Sequence, residues 1–381
     1  MRNEIKVAAI FAIVVVVAIG GIGYYFTTLD KPKEILLQNP VSDNKQTSNT
    51  ATSIGTKTVP QVDESQYPLA PDLVGISGYV NTTPEDLKAA MKDKVVLYDF
   101  WTYSCINCIR TFPYLKAWNE KYSDKGLLIV GVHSPEFEFE KDINNVKMAV
   151  QKYGLTYPVV LDNDHTTWDA FGNRYWPAEY LTDSLGHIRH THFGEGAYDE
   201  TEKVIQQLLD ERSQRLGLNV TADQSLVNIQ EHQFANQQTP ELYFGYNFAT
   251  GRNFLGNSEG FKSDETVSYS LPSNLQQDRF YLEGQWQNLP DSMKLVSQTG
   301  KIVLPYFAKD VHIVAANKAD LQILLDGNPI GSSDAGADVQ NGIVHVSENR
   351  LYNVVSSSIT GSHTLTIAAQ PGFQIYTFTF G

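Results

Sequence analysis

Apolar residues follow two different periodicities in the two halves of the chain. From residue 67 to residue 214, short apolar runs alternate with stretches that have helical spacing. The apolar runs predict five strands, at Val95–Thr102, Gly126–His133, Tyr157–Leu161, Ala178–Thr182 and His187–Phe193. The last two flank the turn residues Asp183–Gly186 and form a predicted antiparallel hairpin.

The stretches between these strands carry helix signals. Thr83 is a plausible N-cap with Pro84 at the first helical position, so a helix is predicted to about Lys92. Four more helices are predicted, at Cys105–Tyr122, from the Ser134-Pro135-Glu136 cap to Tyr153, at Trp168–Phe171 and at Glu200–Gln214. Strands and helices that alternate and then end in a hairpin predict a mixed sheet covered on both faces.

The second half has period-2 runs every 8–12 residues and no helical pattern. Residues 215–238 are polar and predict a connector, and residues 239–381 predict an antiparallel β-sandwich of jelly-roll type. The predicted strands are Arg279–Trp286, Lys301–Phe307, Val311–Ala315, Leu321–Leu325, Ile343–Val346, Leu351–Val355, Thr364–Ala368 and Gln374–Phe380.

The N-terminus carries an uncharged apolar segment, residues 7–26. Twenty helical residues span about 30 Å, the thickness of the hydrocarbon core of a bilayer. A cleaved signal peptide is the alternative, but its apolar region is usually shorter, about 7–15 residues. Residues 1–26 are therefore predicted to be a membrane anchor, and the polar residues 27–66 a flexible linker.

Composition excludes some partners. A net charge of −14 argues against nucleic acid, because binding phosphates requires a basic surface. With only two cysteines, disulfides do not hold the fold together. His190 and His192 share a face of one predicted strand, but no cysteine lies near them in sequence, so metal ligation is not favoured and no metal site is predicted.

Those two cysteines form a Cys-x-x-Cys motif, Cys105-Ile106-Asn107-Cys108, between a predicted strand and a predicted helix. On a helix, residues three apart share a face, so the sulfurs can come within bonding distance. A cysteine at a helix N-terminus is predicted to have a lowered pKa and to be the attacking thiolate. Cys105 is thus the predicted nucleophile and Cys108 the resolving cysteine. Zinc would need four ligands, and a structural disulfide would rarely close so small a loop.

The chain resembles the thioredoxin superfamily, in particular its TlpA- and ResA-like branch, over about residues 68–213. The residues that carry the resemblance are Asp99 and Trp101 before the motif, the motif itself, Pro113 in the helix after it, Trp176-Pro177 at the cis-proline position, and Gly194 after the hairpin. The resemblance implies a thioredoxin fold that begins with a hairpin formed by residues 71–75 and 78–82. It implies no cofactor other than the redox-active Cys105–Cys108 pair.

The resemblance also implies roles for neighbouring residues. Asp99 would relay, with a water molecule, the proton of Cys108; an ion pair with Lys94 or another lysine is the alternative. Pro177 would form a cis peptide bond beside the cysteines, and the Trp176 backbone would pair with an extended substrate peptide. Trp101, Ile106 and Asn107 complete the predicted substrate-binding set. Acids at 136, 138 and 140 are expected mainly to complement a helix dipole.

Residues 239–245 and 376–381 resemble the module that follows thioredoxin in DipZ-type proteins. DipZ proteins also carry a CcdA-like multi-span domain, whereas this sequence has one apolar segment. A CcdA-type electron donor is therefore expected as a separate chain. The implied activity is the reduction of disulfide bonds in protein substrates by an extracytoplasmic, membrane-tethered oxidoreductase. The expected substrates are apocytochrome c or oxidised extracellular proteins.

Alternative functions remain open at this stage. The same cysteines could act in the opposite direction, as a disulfide donor, because direction depends on reduction potential. A peroxidase would require a Pro-x-x-x-Thr-x-x-Cys setting that residues 98–105 lack. A surface protein that binds cell-wall glycan is the third class. Its sugar-stacking candidates are Tyr243, Tyr281, Trp286, Tyr306 and Tyr352, although aromatic residues in period-2 strands are more often core.

Overall fold

The structure is a computed structural model that describes residues 66–218, 223–232, 238–249 and 254–381. None of the helices within these ranges is long and apolar enough to cross a bilayer. The predicted anchor at residues 7–26 and most of the predicted linker lie outside the described residues.

The first part of the described chain is built around a six-stranded sheet. Its elements are β1 (Gly78–Val80), α1 (Pro84–Met91), β2 (Val95–Trp101), α2 (Ile106–Tyr122), β3 (Leu127–His133), α3 (Ile143–Tyr153), β4 (Val159–Leu161), α4 (Thr166–Ala170), β5 (Ala178–Thr182), β6 (Ile188–Phe193) and α5 (Tyr198–Arg215). Short 3₁₀ helices occupy Ser123–Lys125 and Glu138–Lys141. The strand order is β1-β4-β3-β2-β5-β6.

The central strand β2 is parallel to β3 and antiparallel to β5. All seven residues of β2 are buried, because apolar side chains cover both of its faces. One face packs with Leu115 and Trp118 of α2 and with Leu208 of α5, and the other face packs with Trp168 of α4. This is the mixed, doubly covered sheet that the periodicity predicted, and it has the thioredoxin fold that the resemblance implied.

Two local predictions in this part are wrong. Residues 71–75 do not pair with 78–82 as a hairpin; instead β1 pairs antiparallel with β4, and Leu69 bridges to His187. The helix predicted from Ser134 begins only at Ile143, with Asp142 as its N-cap. The reason is the Glu140 carboxylate, which accepts hydrogen bonds from the nearby amides of Glu136 and Phe137 and from the distant Ser104 hydroxyl and so stabilises a loop there.

The second part is all-β. Its strands are β7 (Leu242–Tyr243), β8 (Thr266–Tyr269), β9 (Tyr281–Asn288), β10 (Met293–Leu295), β11 (Gly300–Ala316), β12 (Ala319–Leu325), β13 (Asn328–Pro329), β14 (Val339–Gln340), β15 (Ile343–Val346), β16 (Arg350–Ala369) and β17 (Gln374–Phe380). They form one hydrogen-bonded sheet with the main order β14-β15-β12-β16-β11-β17-β10-β9-β8.

The two longest strands replace four predicted ones. The runs at 301–307 and 311–315 are one strand, β11, and the runs at 351–355 and 364–368 are one strand, β16. They pair along most of their length, with register shifts between Ala308 and Asp310 and between Val311 and His312. Such bulges bend a strand without ending it, so polar residues at the bend resemble a loop in the sequence.

Candidate functional site

The Cys-x-x-Cys motif lies at the N-terminus of α2. Strand β2 ends at Trp101, and a turn in which the Cys105 amide donates to the Thr102 carbonyl leads into the helix. Cys105 is the N-cap residue, and its Sγ accepts a hydrogen bond from the Cys108 amide at 3.2 Å. Both cysteines are free thiols; Cys105 is partly exposed, and Cys108 is fully buried one turn inside the helix. This is the predicted relative placement of the two sulfurs.

The predicted acidity of Cys105 is not reproduced. Burial raises the pKa of the Cys105 thiol, and the carboxylates of Glu241 and Glu136 raise it further. The hydrogen bonds from Cys108 act in the opposite direction but are weaker than burial. The prediction considered only the helix terminus, whereas the desolvation of the thiol depends on what covers it.

The all-β part of the chain packs against the residue that follows Cys105. Ile106, which separates the motif's first cysteine from Asn107, is only 8% exposed. It belongs to an apolar cluster whose other buried members are Phe137, Tyr243, Val314, Ala316, Leu351 and Tyr376. Five of those six lie in the C-terminal sheet, so that sheet contacts the redox motif directly. Asn107 is half-buried.

The contact between the two parts includes polar groups close to the motif. The Tyr243 hydroxyl donates to the Glu136 carboxylate at 2.7 Å and lies 3.1 Å from the Glu241 carboxylate. The Tyr376 ring lies edge-on to that of Phe139, with centroids 4.7 Å apart. Since Glu136 and Glu241 both act on the pKa of Cys105, this contact also sets the electrostatic environment of the thiol.

Asp99 lies in β2 on the face that packs against α2, the same face as Leu97 and Trp101. It is 1% exposed, and neither carboxylate oxygen has a hydrogen-bond partner within the described residues. Burial and the nearby Glu179 carboxyl raise its pKa well above its ordinary value. Neither Lys94 nor any other cation within the described ranges lowers it, so the alternative ion pair is not formed. The charge of Asp99 in turn raises the pKa of Cys108.

The predicted cis peptide bond is present between Trp176 and Pro177. Pro177 is buried, and Trp176 is half-buried and packs in the same apolar cluster as Cys105. The Trp176 indole Nε1 donates to the Ser134 carbonyl at 3.0 Å. Trp176 and Pro177 directly precede β5, which pairs with the strand leading to the cysteines, and their role in substrate binding stays a prediction.

Trp101 occupies a different environment from the other predicted substrate-binding residues. It is fully buried and contacts Phe112 and His133 edge-on, with ring centroids 5.2 and 4.9 Å away. In this position Trp101 supports the end of β2 from inside the core and has no surface for a substrate.

Two buried acids near the motif were not predicted as site residues. Glu140 accepts a 2.5 Å hydrogen bond from the hydroxyl of Ser104, the residue immediately before Cys105. Glu179 faces Asp99 across β2 and β5. Glu179 had a signal in the sequence, because, like Asp99, it is an acid within an otherwise apolar strand. The partner of Glu140 is 36 residues away, and no pattern in the sequence indicates it.

Other candidate groups contribute little to a site. Within the described ranges, no group of three or more His, Cys, Asp and Glu side chains is arranged to hold a metal ion. The five aromatic residues considered for sugar stacking, Tyr243, Tyr281, Trp286, Tyr306 and Tyr352, are all buried. They contribute to the packing of the C-terminal sheet and present no ring to a glycan.

Comparison with known proteins agrees with this geometry. Residues 66–209 match the Redoxin family, and residues 239–381 match the family described as thioredoxin like C-terminal domain. The chain is 36% identical to the protein DipZ of Mycobacterium bovis over 315 residues, 82% of this chain and 43% of DipZ. It therefore spans less than half the length of that relative.

Two shorter relatives match the first part of the chain. The thiol–disulfide oxidoreductase YkuV of Bacillus subtilis is 34% identical over 143 residues, 37% of this chain and 94% of YkuV. The thiol–disulfide oxidoreductase ResA of Halalkalibacterium halodurans is 28% identical over 137 residues, 34% of this chain and 73% of ResA. The chain belongs to the thioredoxin superfamily, as a TlpA- and ResA-like thiol–disulfide oxidoreductase with a C-terminal module of the DipZ type.

Proposed function

We propose that the protein reduces disulfide bonds of protein substrates outside the cytoplasm, and that residues 7–26 tether it to the membrane. Cys105 attacks the substrate disulfide, and Cys108 resolves the mixed disulfide that results. The geometry of the motif supports this order, since Cys105 is partly exposed at the helix terminus and Cys108 is buried behind it.

The proposed resolving step depends on Asp99. A buried carboxyl group without hydrogen-bond partners next to Cys108 can accept the proton of the resolving thiol. The position of Asp99 is the single observation on which the proton transfer rests. Among the acids of the described residues, Asp99 has the largest effect on the pKa of Cys108. We further propose that Pro177 and the Trp176 backbone hold an extended segment of the substrate, because they directly precede β5, which pairs with the strand leading to the cysteines.

Oxidised protein must be reduced again after each turnover. A membrane protein of CcdA type, present as a separate chain, is the proposed electron donor, and the tether would keep the two in the same membrane. Similarity to DipZ supports this pairing of functions, although only 43% of DipZ is matched. Disulfide bonds of apocytochrome c or of oxidised extracellular proteins are the proposed substrates.

Measuring the reduction potential tests the direction. The protein is equilibrated with glutathione buffers, and the Cys105–Cys108 redox state is read by thiol alkylation. We expect a value nearer to that of thioredoxin, about −270 mV, than to that of a strong oxidant, about −120 mV. A value near the oxidant end would overturn the reducing role, and the protein would then be a disulfide donor.

A further inference from the structure

Three titratable side chains form a row across the sheet beneath the redox motif. Asp99 of β2 is directly opposite Glu179 of β5, and Glu179 is directly opposite His192 of β6. Directly opposed residues of antiparallel strands point to the same face and have Cβ atoms about 5 Å apart. On the other side of Asp99, β3 contributes Gly131, which has no side chain. The row therefore runs from Asp99 in one direction only, toward β6.

The two acids are deeply buried and poorly satisfied. Asp99 is 1% and Glu179 is 2% exposed. Within the described ranges, both carboxylate oxygens of Asp99 and the Oε2 atom of Glu179 lack a hydrogen-bond partner. A native protein rarely leaves buried carboxyl oxygens without a donor unless the group has a function or holds a proton.

The groups that face the two acids carry no fixed positive charge. Cys108 faces Asp99 from α2, and Tyr157 faces both acids from the segment before β4. Tyr198 and Thr201 face Glu179 from α5, and His192 faces it from β6. No lysine or arginine of the described residues lowers the pKa of either acid. Two adjacent carboxylates in such surroundings do not both ionise, so the pair holds one proton between its members.

Glu179 also connects the interior to a less buried part of the sheet. The Thr201 side chain lies near Glu179 and lowers the pKa that burial raises, and its Oγ1 atom lies 3.2 Å from Nε2 of His190. His190 and His192 are both half-buried, whereas Asp99 and Cys108 are enclosed. A proton at Glu179 thus has polar groups leading toward solvent, and a proton at Asp99 has Glu179.

We propose that Glu179 is a proton-relay residue that shares one proton with Asp99 and passes the proton of Cys108 toward His190 and His192. This proposal rests on the proposed reducing function. In the resolving step, Cys108 transfers its proton to the singly protonated pair, and its sulfur forms a bond with Cys105. The bond from Cys105 to the substrate breaks, and the substrate sulfur leaves with the electron pair. The pair is then neutral and returns to one proton by release along β6.

The test isolates the resolving step. Reduced protein is mixed with dithiobis(nitrobenzoate). Cys105 attacks the disulfide of the reagent and releases one thionitrobenzoate, and Cys108 then attacks the mixed disulfide on Cys105 and releases the second. The rate of the second release is measured against pH for the wild type, Glu179→Gln and the control Glu202→Gln. Glu202 is a buried acid of α5 that hydrogen-bonds to Tyr122 and lies apart from the cysteines. Glutamine keeps the size of the side chain and its contact with Thr201.

We expect Glu179→Gln to shift the profile to lower pH by about one unit, because Asp99 loses its like-charged neighbour. The plateau rate should fall several-fold, since a less basic Asp99 accepts the proton less readily. The control should keep the wild-type profile. Infrared difference spectra of the wild type, dithiol minus disulfide, should also show a protonated buried carboxyl group, and this measurement needs no variant.

A Glu179→Gln profile that coincides with that of the wild type, while Asp99→Asn alters it, would overturn the proposal and leave Glu179 a structural residue. A different result would contradict the proposed function itself. In that case wild-type protein would not reduce a protein disulfide, or replacement of Cys105 would leave that reduction intact.

Discussion

Asp99 and Glu179 are the residues at which the chain departs most from ordinary packing. A strand with both faces covered normally carries apolar side chains, and each of these acids costs stability when ionised. Burial raises the pKa of Glu179 from 4.5 to about 7, and that of Asp99 rises as well. Groups kept at such cost are typical of a functional site, where an acid must hold a proton near neutral pH.

The stability of the protein should therefore depend on pH in a defined sense. The folded state binds more protons than the unfolded state between about pH 4.5 and 7, so stability falls as pH rises through this window. Glu179→Gln removes that titration. We expect its free energy of unfolding to exceed that of the wild type by up to about 3 kcal/mol above pH 7, and to match it below about pH 4.5.

Urea unfolding at several pH values measures this difference. Glu202→Gln is the matched control, because Glu202 is equally buried but accepts hydrogen bonds from Lys121 and Tyr122. Replacing Glu202 should lower the free energy of unfolding at neutral pH, whereas replacing Glu179 should raise it. If Glu179→Gln were also less stable than the wild type at neutral pH, the carboxyl of Glu179 would not be an unfavourably buried group.

The segment between β3 and α3 shows what an element-level pattern misses. It was predicted as the first turn of a helix, and instead it is a loop and a 3₁₀ turn. Glu140 determines this conformation by binding the amides of Glu136 and Phe137 and the hydroxyl of Ser104. The loop thereby connects the residue before Cys105 to the surface that meets the C-terminal sheet.

Replacing Glu140 by alanine should affect both stability and exchange. The change leaves the Ser104 hydroxyl and two buried amides without an acceptor, so we expect a loss of about 2–4 kcal/mol in the free energy of unfolding. The rate of insulin reduction should also fall. Glu138→Ala is the control, since Glu138 is exposed and its carboxylate pairs with Lys141 at the surface. Equal effects of the two variants on unfolding and on exchange would show that the Glu140 hydrogen bonds are unimportant.

Most elements of the first part were predictable, because their signals are local. Thr83 caps α1 through the Asp86 amide as its position suggested, and the strand leading to the cysteines ends one residue from its predicted end. Strands β11 and β16 were each predicted as two, since continuity across a bulge depends on a partner distant in sequence. Cys105, Cys108 and Asp99 could be chosen from the sequence because they belong to one local motif. The pairing of Glu179 with Asp99 could not, because it depends on the register of strands that are distant in sequence.

At the scale of the whole molecule, the main feature is the contact between the C-terminal sheet and the redox motif. No sequence pattern indicated that Ile106 would be buried by residues more than two hundred positions away, such as Leu351 and Tyr376. Burial raises the pKa of the Cys105 thiol despite its position at a helix terminus, and Glu241 of the C-terminal part raises it further. It also limits the directions from which a substrate can approach the sulfur.

Loosening this contact should make Cys105 more reactive. Tyr376→Ala removes a ring that packs on Phe137 and Phe139, with centroids 5.1 and 4.7 Å away. Greater hydration of the thiol lowers its pKa, so we expect alkylation of Cys105 by iodoacetamide at neutral pH to become several-fold faster. Mass spectrometry after a timed reaction gives the rate.

Tyr269→Ala provides the comparison, because Tyr269 is buried in the same sheet but bonds to Asn288, away from the motif. It should destabilise the sheet without changing the alkylation rate. An equal acceleration in both variants would mean that general loosening of the sheet, and not the contact at Ile106, controls the thiol.

The exchange of bonds between a substrate and the two cysteines is the central claim, and trapping the mixed disulfide tests it most directly. Cys108→Ala, incubated with a disulfide-containing protein and analysed without reductant, should accumulate a covalent adduct through Cys105. Cys105→Ala should accumulate little, because Cys108 is enclosed. The reverse result, with an adduct through Cys108 and none through Cys105, would contradict the account.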